Sequence, residues 1–197
     1  RYYKAKTSVK KPELYIIPQA WREAIGVLKR SGTKMYRLVE DYATEAEVYY
    51  IVNNKKAARQ YNGHISNTSF DLRSETQTIQ YYKGDYVVPL NQSRNTYIMD
   101  MLEPKASSSL FRWNFFDPIL ERREYMIPNG FEKVAPQVLE RNPELKKAWE
   151  LKKAEDSEFA ENHYLQLWYI YSRSPYDEKS YLRYPVGRIT DVADLPL

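Results

Sequence analysis

Catalysis needs groups that exchange protons, hold metals or attack electrophiles, and beyond its carboxylates this chain carries few of them. It has two histidines, His64 and His163, and no cysteine. Disulfides, thiolate zinc sites and cysteine nucleophiles are therefore excluded. A catalytic zinc takes three protein ligands, commonly histidines with a carboxylate at characteristic spacing. The runs His64-Ile65-Ser66-Asn67 and His163-Tyr164-Leu165-Gln166 begin neither a His-x-x-Glu nor a His-Glu-x-x-His motif. No metal and no cofactor is assigned. There is no Gly-x-Ser-x-Gly elbow, and Ser107-Ser108-Ser109 reads as a turn and helix cap rather than as a nucleophile. Glu155, Asp156, Glu158 and Glu161 could supply paired carboxylates, but a charge run of this kind reads as an exposed linker between helices.

Three kinds of group remain. Glu103 is a carboxylate set among apolar neighbours in Met101-Leu102-Glu103-Pro104, and it would need partners if buried. A lone acid without a matched base carries no reaction, so its reading is structural. An enzyme built on His64, Glu103 and Asp117 would require the three to share one cleft within hydrogen-bond reach. The nineteen tyrosines offer an alternative, a stacking surface for peptides or glycans. Half-buried packing with the hydroxyl reaching water is the simpler account of most of them.

The elements that must position these residues follow from periodicity. At 197 residues, 43% hydrophobic and 15% aromatic, the chain can bury a sizeable core, while 28% charge and 11 prolines imply a solvated, loop-rich surface. The net charge of +4 is interleaved along the chain, and no nucleic-acid module accompanies it, so no nucleic-acid partner is expected. Lys4, Lys6, Lys10 and Lys11 read as part of a solvated linker over residues 1–11. No run approaches the ~20 apolar residues of a membrane span. The chain starts at Arg1 rather than at a methionine, which reads as the mature or excised part of something longer.

Glu13 to Ile17 reads as a buried strand, Gln19 to Ser31 as a helix with Trp21, Ala24, Ile25 and Leu28 on one face, and Met35 to Val39 as a second strand. Strand, helix and strand in so short a span predict a right-handed parallel crossover. The turn Ile17-Pro18-Gln19-Ala20 lacks the glycines of a dinucleotide site. Period-two runs over 44–90, with turns at Asn62-Gly63 and Lys83-Gly84-Asp85, predict antiparallel hairpins added to that unit. Ser93 reads as the cap of a helix carrying Tyr97 and Ile98, and the rings of Phe111, Trp113, Phe115 and Phe116 as the thickest part of the core. Helices then follow over 131–140, from a cap at Asn142, and over 162–172, before an extended segment at Tyr184 to Ile189. The expected fold is α/β, a mixed sheet with a parallel strand-helix-strand unit, antiparallel additions and a helical C-terminal third. Its domain is expected over 12–189, strand-rich to 104 and helical from 105, with a tail over 190–197.

Several runs, taken in order, resemble a known family. They are Tyr15 to Trp21, Tyr61-Asn62-Gly63-His64, Gly84 to Val88, Leu102-Glu103-Pro104, Trp113 to Asp117, Asn142 to Lys146, Arg173-Ser174-Pro175-Tyr176 and Tyr184-Pro185-Val186. The set is similar to the region that follows the catalytic domain in large bacterial carboxypeptidase A-like zinc metallopeptidases. The family's zinc ligands, substrate-binding arginine and catalytic glutamate lie in that preceding domain, and none maps onto this chain. The resemblance implies a non-catalytic C-terminal accessory region whose partner is a zinc peptidase domain, in a secreted or periplasmic parent. Where the family leads one to expect an acid before the serine in the turn after Leu-Glu-Pro, this chain has Ser107-Ser108-Ser109. The candidate binding or docking residues are Tyr61, His64, Glu103, Trp113 and Asp117, with no catalytic and no metal-ligating residue among them.

Overall fold

The computed structural model describes residues 8–191 and 195–197, so the first part of the expected linker, with Lys4 and Lys6, and part of the expected tail lie outside the described residues. The chain forms two compact units. One comprises residues 1–121 with 182–197, the other residues 122–181.

The first unit contains β1 (Leu14–Ile17), α1 (Arg22–Arg30), β2 (Tyr36–Arg37), β3 (Tyr42–Lys56), β4 (Asn67–Tyr81), β5 (Tyr86–Pro89), α2 (Asn95–Leu102) and β6 (Gly187–Ile189). The strands make one sheet in the order β2-β5-β1-β6-β3-β4, and every pairing is antiparallel. This overturns the expected parallel unit. β1 and β2 run in the same direction, since each is antiparallel to β5, but β5 lies between them, with Tyr15 opposite Val88 and Tyr36 opposite Val87. Burial explains the insertion: Val87 and Val88 are fully buried and need neighbours on both sides, whereas β2 is reduced to two exposed residues at the sheet edge.

The turn between β1 and α1 is closed by a carboxylate. Asp85, itself buried, accepts from the Gln19 amide at 2.9 Å and, through its other oxygen, from the Tyr82 amide at 2.9 Å. It can reach there because Gly84 turns with φ of 96°, in the left-handed region that glycine enters freely. α1 buries Ala24, Ile25 and Leu28 against the sheet, with Glu23 in its first turn and Lys29 and Arg30 in its last, as the helix dipole favours. α2 is held differently from the expectation, because Ser93 does not cap it. Instead Asn95 accepts from the Gln92 amide at 3.1 Å and donates to the Leu90 carbonyl at 2.6 Å.

Alternate residues of each central strand feed two apolar clusters. Tyr15, Ile17, Tyr49 and Ile51 join one with α1 and α2, and Leu14, Ile16, Val48 and Tyr50 join the other with Tyr81 and Val87. Phe111 and Phe116 thicken the first cluster, Phe111 edge-on to Phe70 at 4.9 Å and Phe116 edge-on to Tyr184 at 4.9 Å. Trp113 is outside it and only half-buried, which corrects its expected place in the core.

The second unit contains α3 (Pro128–Phe131), α4 (Ala135–Arg141), α5 (Pro143–Glu155), α6 (Ser157–Glu161) and α7 (His163–Tyr171). Pro136 lacks an amide donor and sits in the first turn of α4, so the helix expected over 131–140 is broken into two. Asn142 caps α5 as expected, its side-chain oxygen accepting from the Leu145 amide at 3.1 Å. The supposed charged linker at 155–161 is instead a capped helix: Asp156 accepts from the Phe159 amide at 3.0 Å, and Phe159 is buried. Met126, Phe131, Val138, Leu145, Leu167 and Ile170 form this unit's own core.

Candidate functional site

Four of the five candidate residues meet at one corner of the first unit. The segment between β3 and β4 closes as a two-residue turn, with Tyr61 and His64 exchanging backbone hydrogen bonds of 2.9 and 3.0 Å around Asn62 and Gly63. Both central residues have positive φ, 47° and 81°, the geometry that an Asn-Gly pair supplies. The turn sets the Tyr61 and His64 rings beside Trp113, at centroid distances of 6.3 and 5.6 Å, the imidazole perpendicular to the indole. Tyr61 remains 65% exposed.

Asn114 ties the corner together from a left-handed backbone position, φ 71°. Its amide nitrogen donates to the Ile65 carbonyl and to Asp117 Oδ2, each at 3.0 Å, and its amide oxygen lies 3.2 Å from His64 Nδ1. With the amide so oriented, His64 Nδ1 is the donor in that bond. Asp117 is occupied on both oxygens: Lys56 Nζ donates to Oδ2 at 2.7 Å, and Asn67 Nδ2 donates to Oδ1 at 2.7 Å. Asn67 is fully buried and also donates to the Phe111 carbonyl at 2.9 Å. The acid and the imidazole therefore do not bond to each other, and both bond to Asn114 instead. The corner holds rings in fixed places but presents no poised acid–base pair.

Glu103 belongs to a different network. It is 4% exposed, and its Oε1 accepts from the Tyr15 hydroxyl at 2.6 Å and from Arg188 Nε at 3.0 Å. Arg188, buried in β6, also pairs with Glu47 on β3 and donates to the Lys10 carbonyl. Burial pushes the Tyr15 hydroxyl far above its usual range, and the neighbouring Glu103 charge adds to this. Tyr49 is raised in the same order, by burial and then by Glu103. For Arg188, burial works against the charge, but Glu103, Tyr49 and Glu47 outweigh it and hold the guanidinium protonated. The partners that a buried Glu103 required are thus a cation and a phenol, and no bond links them to His64 or Asp117.

Sequence reasoning missed Arg188, Asn67, Asn114 and Lys56. Arg188 did leave a signal, a cation inside the closing apolar segment Tyr184 to Ile189, where burial demands a carboxylate. The asparagines left none, because amides are common in turns and only the fold brings these together.

Among the described residues no group of three or more histidines and carboxylates could hold a metal ion, and no helix is long and apolar enough to cross a membrane. The exposed tyrosines Tyr36, Tyr61, Tyr82, Tyr125, Tyr164 and Tyr176 have no ring contact with one another among these residues. No protein-family model, curated protein or solved structure matches the chain.

Proposed function

We propose that the chain is a non-catalytic accessory region of a zinc carboxypeptidase-like protein, which packs on or orients the peptidase domain. The observation that carries this reading is the Tyr61, His64 and Trp113 corner, with its partly exposed rings and an acid already held by three donors. Recognition benefits from rings already held in place, since less side-chain freedom is lost on docking, and tyrosine and tryptophan are frequent anchors of interfaces. Chemistry would need a free acid or base beside His64, and Asp117 is committed to Lys56, Asn67 and Asn114. The ordered runs quoted above supply the kind of partner, and a secreted or periplasmic setting accompanies it.

Mixed with the separately produced peptidase domain, the chain should form a complex by analytical ultracentrifugation. Tyr61→Ala and Trp113→Ala should each weaken it by about 2 kcal/mol, the cost typical of an interface anchor, with little change in melting temperature because both rings are partly exposed. Absence of any complex, or zinc-dependent peptide hydrolysis by this chain alone, would sink the proposal.

A further inference from the structure

The second unit contains a cavity of about 440 Å³ between the C-terminal half of α4 and the turn that follows α7. That volume is within the range of small-molecule sites. Two runs far apart in sequence converge on it, Gln137 to Asn142 and Ser172 to Lys179. We propose that this cavity binds a small organic oxyanion, a carboxylate or phosphate carried on an apolar or aromatic body.

The first argument is an excess of donors. The Arg141 guanidinium makes no hydrogen bond or ion pair among the described residues. Arg173 spends one nitrogen, Nη1, on the Tyr169 carbonyl at 3.2 Å and on Ser172 Oγ at 3.1 Å, lies over the Tyr169 ring at 3.8 Å, and has no carboxylate partner among the described residues. Several of the side-chain acceptors at the cavity are already engaged. Asp177 Oδ1 receives Arg122 at 2.7 Å, Asn142 Oδ1 receives the Leu145 amide, and Ser174 Oγ receives the Tyr176 amide at 3.1 Å while donating to the Tyr171 carbonyl at 2.7 Å. Neither the Arg141 nor the Arg173 guanidinium is met by a carboxylate among the described residues, and a guanidinium fork matches an oxyanion through two bonds at once.

The competing account is that Arg141 and Arg173 merely complement the C-terminal dipoles of α4 and α7. Each helix end carries roughly half a negative charge, so two ends offset about one of the cations. That leaves the charge of one guanidinium uncompensated at the cavity, while Asp177 is paired with Arg122.

The second argument is the remaining wall. Val134, Val138 and Pro175 are apolar, and the Tyr176 ring is steadied by Phe131 at 6.1 Å. A bare ion would leave that surface wet, whereas an anion on a ring or branched chain would cover it.

The test is an NMR titration of the whole chain with benzoate, phenyl phosphate, inorganic phosphate and benzyl alcohol. Benzoate and phenyl phosphate should shift the amide signals of Gln137, Arg141, Arg173 and Tyr176 saturably in the millimolar range, as expected for ligands of this size. The tighter of the two assigns the oxyanion. Arg141→Gln and Arg173→Gln should each lower affinity about tenfold or more without moving the melting temperature, since both side chains are exposed. The proposal is overturned if neither anion shifts these signals, if neutral benzyl alcohol shifts them equally, if inorganic phosphate binds as tightly as phenyl phosphate, or if the arginine variants bind unchanged.

Discussion

Arg188 is the residue on which the first unit's electrostatics turn. One guanidinium serves Glu103 and Glu47, and the Tyr15 hydroxyl completes the set on Glu103. Taking such charges out of water is costly, and the cost is offset only while every partner is present. Arg188→Met should therefore destabilise the protein by about 3–5 kcal/mol, because it leaves Glu103 buried without its cation. Adding Glu103→Leu to that variant should recover part of the loss, measured by urea denaturation as a double-mutant cycle. A cycle in which the two losses simply add would show that the pair is not coupled. The requirement for partners was legible from Glu103 alone, set as it is between Leu102 and Pro104. Their identity was not, because Arg188 lies 85 positions away and only the sheet brings it near.

At the scale of elements, local patterns fixed kinds but not neighbours. The β1 and α1 periodicities are plain in the sequence, and so is the turn at Asn62-Gly63. Which strand lies beside β1 is a different question, decided by competition for buried positions that no local window contains. Val87 and Val88 won that place over the short β2. The docking corner was legible to a similar depth, since Tyr61 and His64 flank a recognisable turn while Asn114, which links His64 to Asp117, gave no local sign. On the other side of β1, β6 packs so closely that Gly187 has no room for a side chain. A Cβ there would collide with the hydroxyl of Tyr81, which is 2% exposed and cannot swing away into solvent. Gly187→Ala should cost about 1–3 kcal/mol through overpacking, read as a lowered denaturation midpoint, and the pair Gly187→Ala with Tyr81→Phe should recover part of it.

For the whole molecule, buried phenols set the alkaline limit. Tyr15, Tyr184, Tyr81 and Tyr49, all in the first unit, are pushed above their ordinary value of 10.0, in each case chiefly by burial. A raised value means that the folded state keeps protons that the unfolded chain releases. Their contribution is complete below pH about 10 and is lost as pH rises from there towards the folded values. Stability should fall steeply above pH about 10, and ultraviolet titration should show these four phenols ionising only together with unfolding. Free titration of all nineteen tyrosines in the folded protein would contradict this.

The position of β6 has a consequence for how the chain is made. This strand pairs with both β1 and β3, and it is encoded after the whole of the second unit. Until it emerges, the three strands β2, β5 and β1 and the hairpin of β3 and β4 have no strand joining them, and Glu103 and Glu47 await their arginine. Of these two units, the one encoded from the earlier residues is thus the later to finish folding. The helical unit, whose contacts are local, can form while the sheet is still in two pieces. A chain cut short before Leu182 would retain the information for most of the sheet and yet be unable to close it.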